Sequence, residues 1–270
     1  MEQPPDRPAL PKSYKRKFPF RLCAPSFIYP DDYTVNVELL GPYLDEIELL
    51  FFESDRENSL PSSAVIRDLR ALSERYDISY NIHLPIDIDP GSPVPEIRDQ
   101  AVRCIRYICE LTRPLSASSY TVHLPAEHAT DLPVWRENVA GSMEQLIHRE
   151  FPGRIFSVET LHYPLEWIEP VIQRLDLSVC LDIGHLMADG LLVASVFKQY
   201  AERIAVVHLH GVDGPRDHVG LGSLPRETLI AVIEMLERFS GTVSIEVFSY
   251  HHLRDSLRIL EDLWFAKNPV

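Results

Sequence analysis

Eight short apolar runs punctuate the chain, and each is followed by a longer stretch in which apolar residues recur every three or four positions. The short runs predict strands at Arg21–Pro25, Glu46–Phe52, Ser79–Leu84, Tyr120–Leu124, Ile155–Thr160, Ser178–Ile183, Ala205–Leu209 and Val243–Phe248. The longer stretches predict helices over Asn36–Leu44, Ser62–Tyr76, Pro95–Leu111, Val134–Glu150, Leu165–Arg174, Val193–Tyr200, Pro225–Phe239 and His252–Phe265. Pro61, Pro95, Pro133 and Pro225 stand at or near helix starts, where a missing N–H is harmless. Strict β–α alternation implies a parallel sheet with right-handed crossovers. Eight such units close into a single (β/α)8 barrel of the TIM type, an α/β fold for which about 250 residues is typical. The first strand runs into CAPSFIYP, with no glycine-rich phosphate loop, which disfavours an open dinucleotide-binding sheet.

The apolar strands carry polar residues at their C-terminal ends. Glu48 lies in the second, His83 in the third, His123 in the fourth and Glu159 in the fifth. Asp182 ends the sixth, with His185 three residues on; His208 and His210 stand at the end of the seventh and Glu246 in the eighth. Behind the seventh strand, Asp217 and His218 occupy a glycine-rich loop, GVDGPRDHVGLGSL, placed to fold over the mouth. In a barrel these ends converge, and active sites form there. Burying so many ionisable groups together without a cation is costly. Divalent metals remove that cost by neutralising carboxylates and accepting imidazole lone pairs, so the set predicts a metal site at the C-terminal face.

Composition adds limits. A formal net charge of −14 argues against a nucleic-acid partner, since phosphate-backbone binding needs many Lys and Arg contacts. No apolar run is long enough to span a membrane. The first residues lack a signal-peptide core, and Cys23, Cys104, Cys109 and Cys180 show no paired spacing, which fits reduced cysteines in a cytoplasmic protein. Residues 1–17, rich in proline and then basic, are expected to form a disordered tail, leaving residues 18–270 as one catalytic domain.

From about Phe18 to Leu263 these motifs resemble the xylose isomerase-like superfamily, which includes endonuclease IV-type repair enzymes, sugar isomerases and epimerases. The resemblance implies a four-ligand core of Glu159, Asp182, His208 and Glu246. Its endonuclease IV-type branch adds His83 and His123, which with Glu159 imply another metal site, and His185 with His218, and Asp217, for a third. HVGLG keeps that branch's loop spacing, but Asp217 adjoins His218 and Arg216 stands where the aspartate would be. The strings SFIYPDDY, DEIELLFFES, YNIHLP, CLDIGHL, HLHGV and SIEVFS look like the cobamide-remodelling phosphodiesterase family, which cuts the nucleotide loop of corrinoids.

The expectation is therefore a metal-dependent phosphodiester hydrolase acting on a small corrinoid. It would hold two or three divalent ions, zinc first, with manganese or iron also suited to mixed imidazole–carboxylate sites. Glu159, Glu246 and Glu48 are the candidate catalytic carboxylates; Glu48 lies outside the family's ligand set and either orients a ligand, contacts substrate or forms a structural ion pair. His210 is expected just past its strand, behind the ligands or facing substrate. A one-metal sugar isomerase or epimerase, or an endonuclease IV-type phosphoesterase, is the alternative reading.

Overall fold

A computed structural model describes residues 7–54, 59–126 and 129–267. Eight parallel strands form a barrel: β1 (Arg21–Pro25), β2 (Glu46–Leu50), β3 (Ser79–His83), β4 (Tyr120–Val122), β5 (Phe156–Glu159), β6 (Ser178–Asp182), β7 (Ile204–His208) and β10 (Thr242–Ser244). They neighbour one another in that order, and β10 closes the ring on β1. The helices α1 (Tyr33–Leu40), α2 (Ser63–Tyr76), α3 (Pro95–Thr112), α4 (Leu132–Glu144), α5 (Glu169–Arg174), α6 (Ile183–Ala188), α7 (Val193–Tyr200), α8 (Arg226–Leu236) and α9 (Tyr250–Lys267) alternate with the strands, except that α6, which was not expected, joins α7 between β6 and β7. The TIM barrel is thus the fold the hydrophobic pattern predicted. Among the described residues no helix is long and apolar enough to cross a membrane.

Side chains alternate across each strand, and that alternation separates two different interiors. Leu22, Ile47, Leu49, Ile82, Val122, Val158, Val179, Val207 and Val243 are fully buried and belong to the apolar core beneath the helices. The other parity fills the barrel with polar groups. Glu48 on β2 reaches across to His208 on β7 and Ser244 on β10, and Asn81 on β3 donates to the Cys23 sulfur on β1 at 3.3 Å. Lower down, Glu46 meets Arg21 and Thr242. The barrel axis is therefore a column of polar contacts rising to the mouth.

Helix starts follow local chemistry. The Ser62 hydroxyl accepts from Val65 N–H at the head of α2, and the Asp131 carboxylate from Val134 N–H at the head of α4, satisfying N–H groups that have no partner within the helix.

Three details differ from the expectation. Residues 7–17 are not a loose tail: Leu10 and Tyr14 are buried, Tyr14 N–H donates to the Tyr43 carbonyl at 2.9 Å, and Lys12 and Lys17 both pair with Glu261. Two tyrosines hold the start of this strap, Tyr29 to the Pro8 carbonyl at 2.7 Å and Tyr250 to that of Ala9 at 3.0 Å. The part of the expected tail before Arg7 lies outside the described residues. The fourth and eighth barrel strands are shorter than their apolar runs, so His123 and Glu246 lie just beyond the ladder. Finally, the glycine-rich loop after β7 is a hairpin of β8 (Gly211–Asp213) and β9 (Arg216–Val219), turned at Gly214 with φ +60°. Glycine meets the steric demand of that left-handed turn.

Candidate metal centre

His83, Glu159, Asp182 and His208 are the last residues of β3, β5, β6 and β7, and His123 and Glu246 stand one and two residues past β4 and β10. The closed barrel brings these six to one mouth, where all but the partly buried His123 are buried. His83 Nε2 and His123 Nε2 lie 3.1 and 3.0 Å from the same oxygen, Glu159 Oε2. His83 Nδ1 is 2.9 Å from the Leu84 carbonyl, so a proton on Nδ1 leaves the Nε2 lone pair facing Glu159.

The second group surrounds His208. Its Nδ1 lies 2.9 Å from Glu246 Oε2, 3.7 Å from Asp182 Oδ2 and 3.8 Å from Glu159 Oε1. On the far side of the ring, Nε2 is 2.9 Å from Glu48 Oε1, while Glu48 Oε2 accepts from the Ser244 hydroxyl at 2.6 Å. Glu48 is completely buried and is not among the residues lining the cavity at the mouth. Of the roles the sequence left open for it, these contacts match orientation of a ligand, since it holds the His208 ring from behind. Glu159 spans the two groups, one oxygen toward His83 and His123 and the other toward His208.

The third group contains Asp182, His185, His210 and His218. Asp182 also caps α6, accepting His185 N–H at 2.6 Å, so the helix that carries His185 begins on a candidate ligand. His185 Nδ1 lies 3.1 Å from the Thr160 carbonyl, which leaves its Nε2 free of that contact. Asp217 was expected as a ligand and does not reach this group. Its carboxylate is 57% exposed and sits 3.1 Å from His218 Nδ1, a geometry that orients the imidazole from outside. Position 216, where the endonuclease IV-type pattern has its aspartate, is an exposed arginine paired with Asp213. His210, whose role the sequence left open, is fully buried among the candidate ligands.

Electrostatics tie the groups together. Burial alone would depress the His83 imidazole, but Glu159, with Glu48 and Glu246, outweighs it and raises the pKa to about 9. His218 is raised to about 9 in the same way, against burial, by Glu246 and Asp217. Glu159 and Glu246 are held well below the usual carboxylate range against burial, Glu159 by His123 and His208, Glu246 by His208 and His218. These groups satisfy one another incompletely. His208 Nδ1 and Glu246 Oε2 are buried, only 2.9 Å apart, and neither makes a hydrogen bond. A divalent ion accepting both would remove that deficit, and the imidazole and carboxylate donors suit zinc, manganese or iron. The residues present therefore fit such ions.

The sequence profile of the xylose isomerase-like TIM barrel family matches residues 40–267. The chain belongs to this family. Its structure is similar to that of a D-tagatose 3-epimerase-like protein at 20% identity, with a TM-score of 0.78 over 92% of this chain and 98% of that one. Endonuclease IV from Thermus thermophilus is 18% identical, with a TM-score of 0.69 over 92% and 99%. A zinc-bound IOLI protein is 13% identical, also at 0.69 over 92% and 99%. No curated protein matches the sequence. At these identities the likeness establishes the family's barrel, and the chemistry is argued from the mouth itself.

In this member of the xylose isomerase-like family the candidate ligands open into a cavity of about 190 Å³ lined by His83, His123, Glu159, His185, His218 and Glu246 beneath Phe52 and Phe248. Leu50, Phe52 and Ile86 also border a neighbouring cleft of about 590 Å³. A relay of rings runs between them: His218 stacks on Phe248 at 5.0 Å, Phe248 meets Phe52 at 6.2 Å, and Phe52 meets Phe27 at 5.3 Å. The cleft's rim carries Asp31, Asp32 and Glu53, and among the described residues neither lining contains lysine or arginine. The β1–α1 sequence SFIYPDDY supplies Ser26, Phe27, Asp31, Asp32 and Tyr33 to this second space, and DEIELLFFES supplies Leu50, Phe52 and Glu53.

Proposed function

We propose that the chain is a metal-dependent phosphoester hydrolase that cleaves the nucleotide-loop phosphodiester of a cobamide. The observation that carries the hydrolase reading is the presence of three adjoining donor groups. A four-residue core of Glu159, Asp182, His208 and Glu246 would serve a one-metal isomerase, yet His83 and His123 complete a second group and His185 and His218 a third. Divalent cations held there supply Lewis acidity toward a phosphoryl group. Glu159 offers one oxygen to each of two groups, and Glu48 fixes the His208 ring so that Nδ1 faces the carboxylates. Glu246, like Glu159, lines the cavity, and on this reading the pair orients the attacking water. Arg and Lys are absent from the described lining, so among the described residues only bound cations would meet the substrate's negative charge.

The corrinoid assignment draws on the resemblance of the mouth sequences, and the adjoining cleft is compatible with it. About 590 Å³ of mostly apolar space would take one edge of so large a ligand and leave the rest outside. Its acidic rim and the net charge of −14 disfavour a polynucleotide. The four-residue core favours a second reading, sugar isomerisation or epimerisation with one metal.

The test is to incubate zinc- or manganese-loaded protein with a cobamide and follow the loop-opened corrinoid chromatographically. Loop opening that disappears in Glu159→Ala supports the proposal. Ketose interconversion without corrinoid cleavage would replace it with the epimerase reading, and nicking of abasic duplex would replace it with a repair function.

A further inference from the structure

His210 is neither one of the four core residues nor a residue the family resemblance assigns. It is fully buried, and its ring stacks on His218 with centroids 4.2 Å apart and planes 12° from parallel. An imidazole lone pair lies in the ring plane, so two rings stacked face to face cannot direct lone pairs at a single ion. Of the four residues that gather in the third group, His210 is therefore the one that does not ligate as it stands. Its hydrogen bonds say what it does. Nε2 lies 3.1 and 3.2 Å from the two Asp182 oxygens, and Nδ1 lies 3.0 Å from His218 N, positioned to accept that N–H. Both contacts are made by one neutral tautomer, with the proton on Nε2; the Gly211 carbonyl, 3.1 Å from Nδ1, then receives no proton from the ring.

Two further features require the ring to be where it is. His218 has φ +51°, a left-handed backbone that residues other than glycine rarely adopt, and the hydrogen bond to His210 holds that backbone in place. Gly184 stands in the first turn of α6 with no positive φ to demand a glycine. A Cβ there would lie 2.0 Å from His210 Cε1. The glycine of Asp-Ile-Gly-His makes room for an imidazole that arrives from the end of the neighbouring strand.

We infer that His210 is a positioning residue that couples the second and third donor groups: one edge aims the Asp182 carboxylate, and the other holds the backbone of His218. The inference rests on the metal-site reading. Phosphoester turnover does not enter its readout, so a protein that binds metal but cleaves no corrinoid would overturn the proposed function and leave this inference standing.

The experiment measures zinc stoichiometry and affinity by chelator competition in the full-length protein and in His210→Leu, His210→Gln and Gly184→Ala, with circular dichroism as the check on folding. Loss of a supporting hydrogen bond lowers metal affinity by about 10- to 100-fold. His210→Leu should keep every ion at saturating zinc while weakening binding by that factor. His210→Gln, whose amide restores a donor to Asp182, should recover part of it. Gly184→Ala should reproduce the Leu variant with His210 intact, because the added Cβ displaces the ring. Gln and Ala decide the matter should the Leu variant not fold. Outright loss of one ion at saturation would make His210 a ligand and overturn the inference, and unchanged affinity in all three variants would overturn it equally.

Discussion

Glu48→Gln isolates the carboxylate behind His208. In the wild-type chain Glu48 Oε1 and Oε2 bind His208 Nε2 at 2.9 Å and the Ser244 hydroxyl at 2.6 Å, with glutamate and histidine side chains both 0% exposed. The amide is nearly isosteric, so packing is kept. One of its two ends can still accept from His208, but the negative charge that strengthens that bond is gone. Hydrogen bonds to charged groups contribute about 1.5–3 kcal/mol and neutral ones about 0.5–1.5 kcal/mol. The difference, about 1–2 kcal/mol, is roughly a 5- to 30-fold loss of metal affinity at 1.4 kcal/mol per decade. The same loss follows from lower basicity at Nδ1. The assay is competition against a chromogenic chelator at fixed pH, with thermal melting alongside. The variant should fold, retain its ions at saturation and release them at lower chelator concentration. Wild-type affinity in a folded Glu48→Gln protein would refute the claim that this carboxylate tunes His208.

Other outcomes follow from the same contacts. Asp217→Asn should weaken metal binding by no more than about tenfold without removing an ion, because the carboxylate supports His218 from an exposed position; metal analysis checks this. Phe52→Ala breaks ring contacts to Phe27 and Phe248 and should cost about 1 kcal/mol of stability, read as a urea midpoint; because Phe52 borders both cavities, the variant should also raise the KM for a corrinoid with little change in kcat. Glu261 is pulled down in pKa against burial by Lys12 and Lys17. Its stabilisation is therefore full above the unfolded value of about 4.3 and fades as pH falls through the lower folded value. Glu261→Gln should cost about 1 kcal/mol at pH 7 and less at acid pH, read as urea midpoints across pH. Metal removal by chelation should lower the melting temperature, since ions that bind only the folded mouth stabilise it by mass action.

The barrel was legible because its outward-facing strand positions are continuously aliphatic and each run is followed by a 3.6-residue rhythm. The donors were legible because ionisable groups at apolar strand ends are costly, and His83, His123, Glu159, Asp182, His185, His208, His218 and Glu246 do meet at the mouth. What the sequence obscured depended on geometry that periodicity does not carry. Arg216-Asp217-His218 reads as a loop motif, but the β8–β9 hairpin turns Asp217 outward while bringing His218 in. Glu48 and His208 are 160 positions apart in the chain, and only barrel closure makes one the support of the other. The polar alternation of Glu46 and Glu48, of Asn81 and His83, and of Thr242, Ser244 and Glu246 was present in the sequence as a period of two, hidden within runs that count as apolar overall. The strap over residues 7–17 was hidden by its proline and lysine content, which outweighed the buried Leu10 and Tyr14.

The central claim is that the barrel mouth would hold ions in adjoining donor groups that share Glu159. Anomalous diffraction at the zinc edge from crystals of zinc-loaded protein measures this directly. The account predicts at least two peaks, one among His83, His123 and Glu159 and one among Glu159, Asp182, His208 and Glu246. A single peak confined to the four-residue core, or none at the mouth, would contradict it.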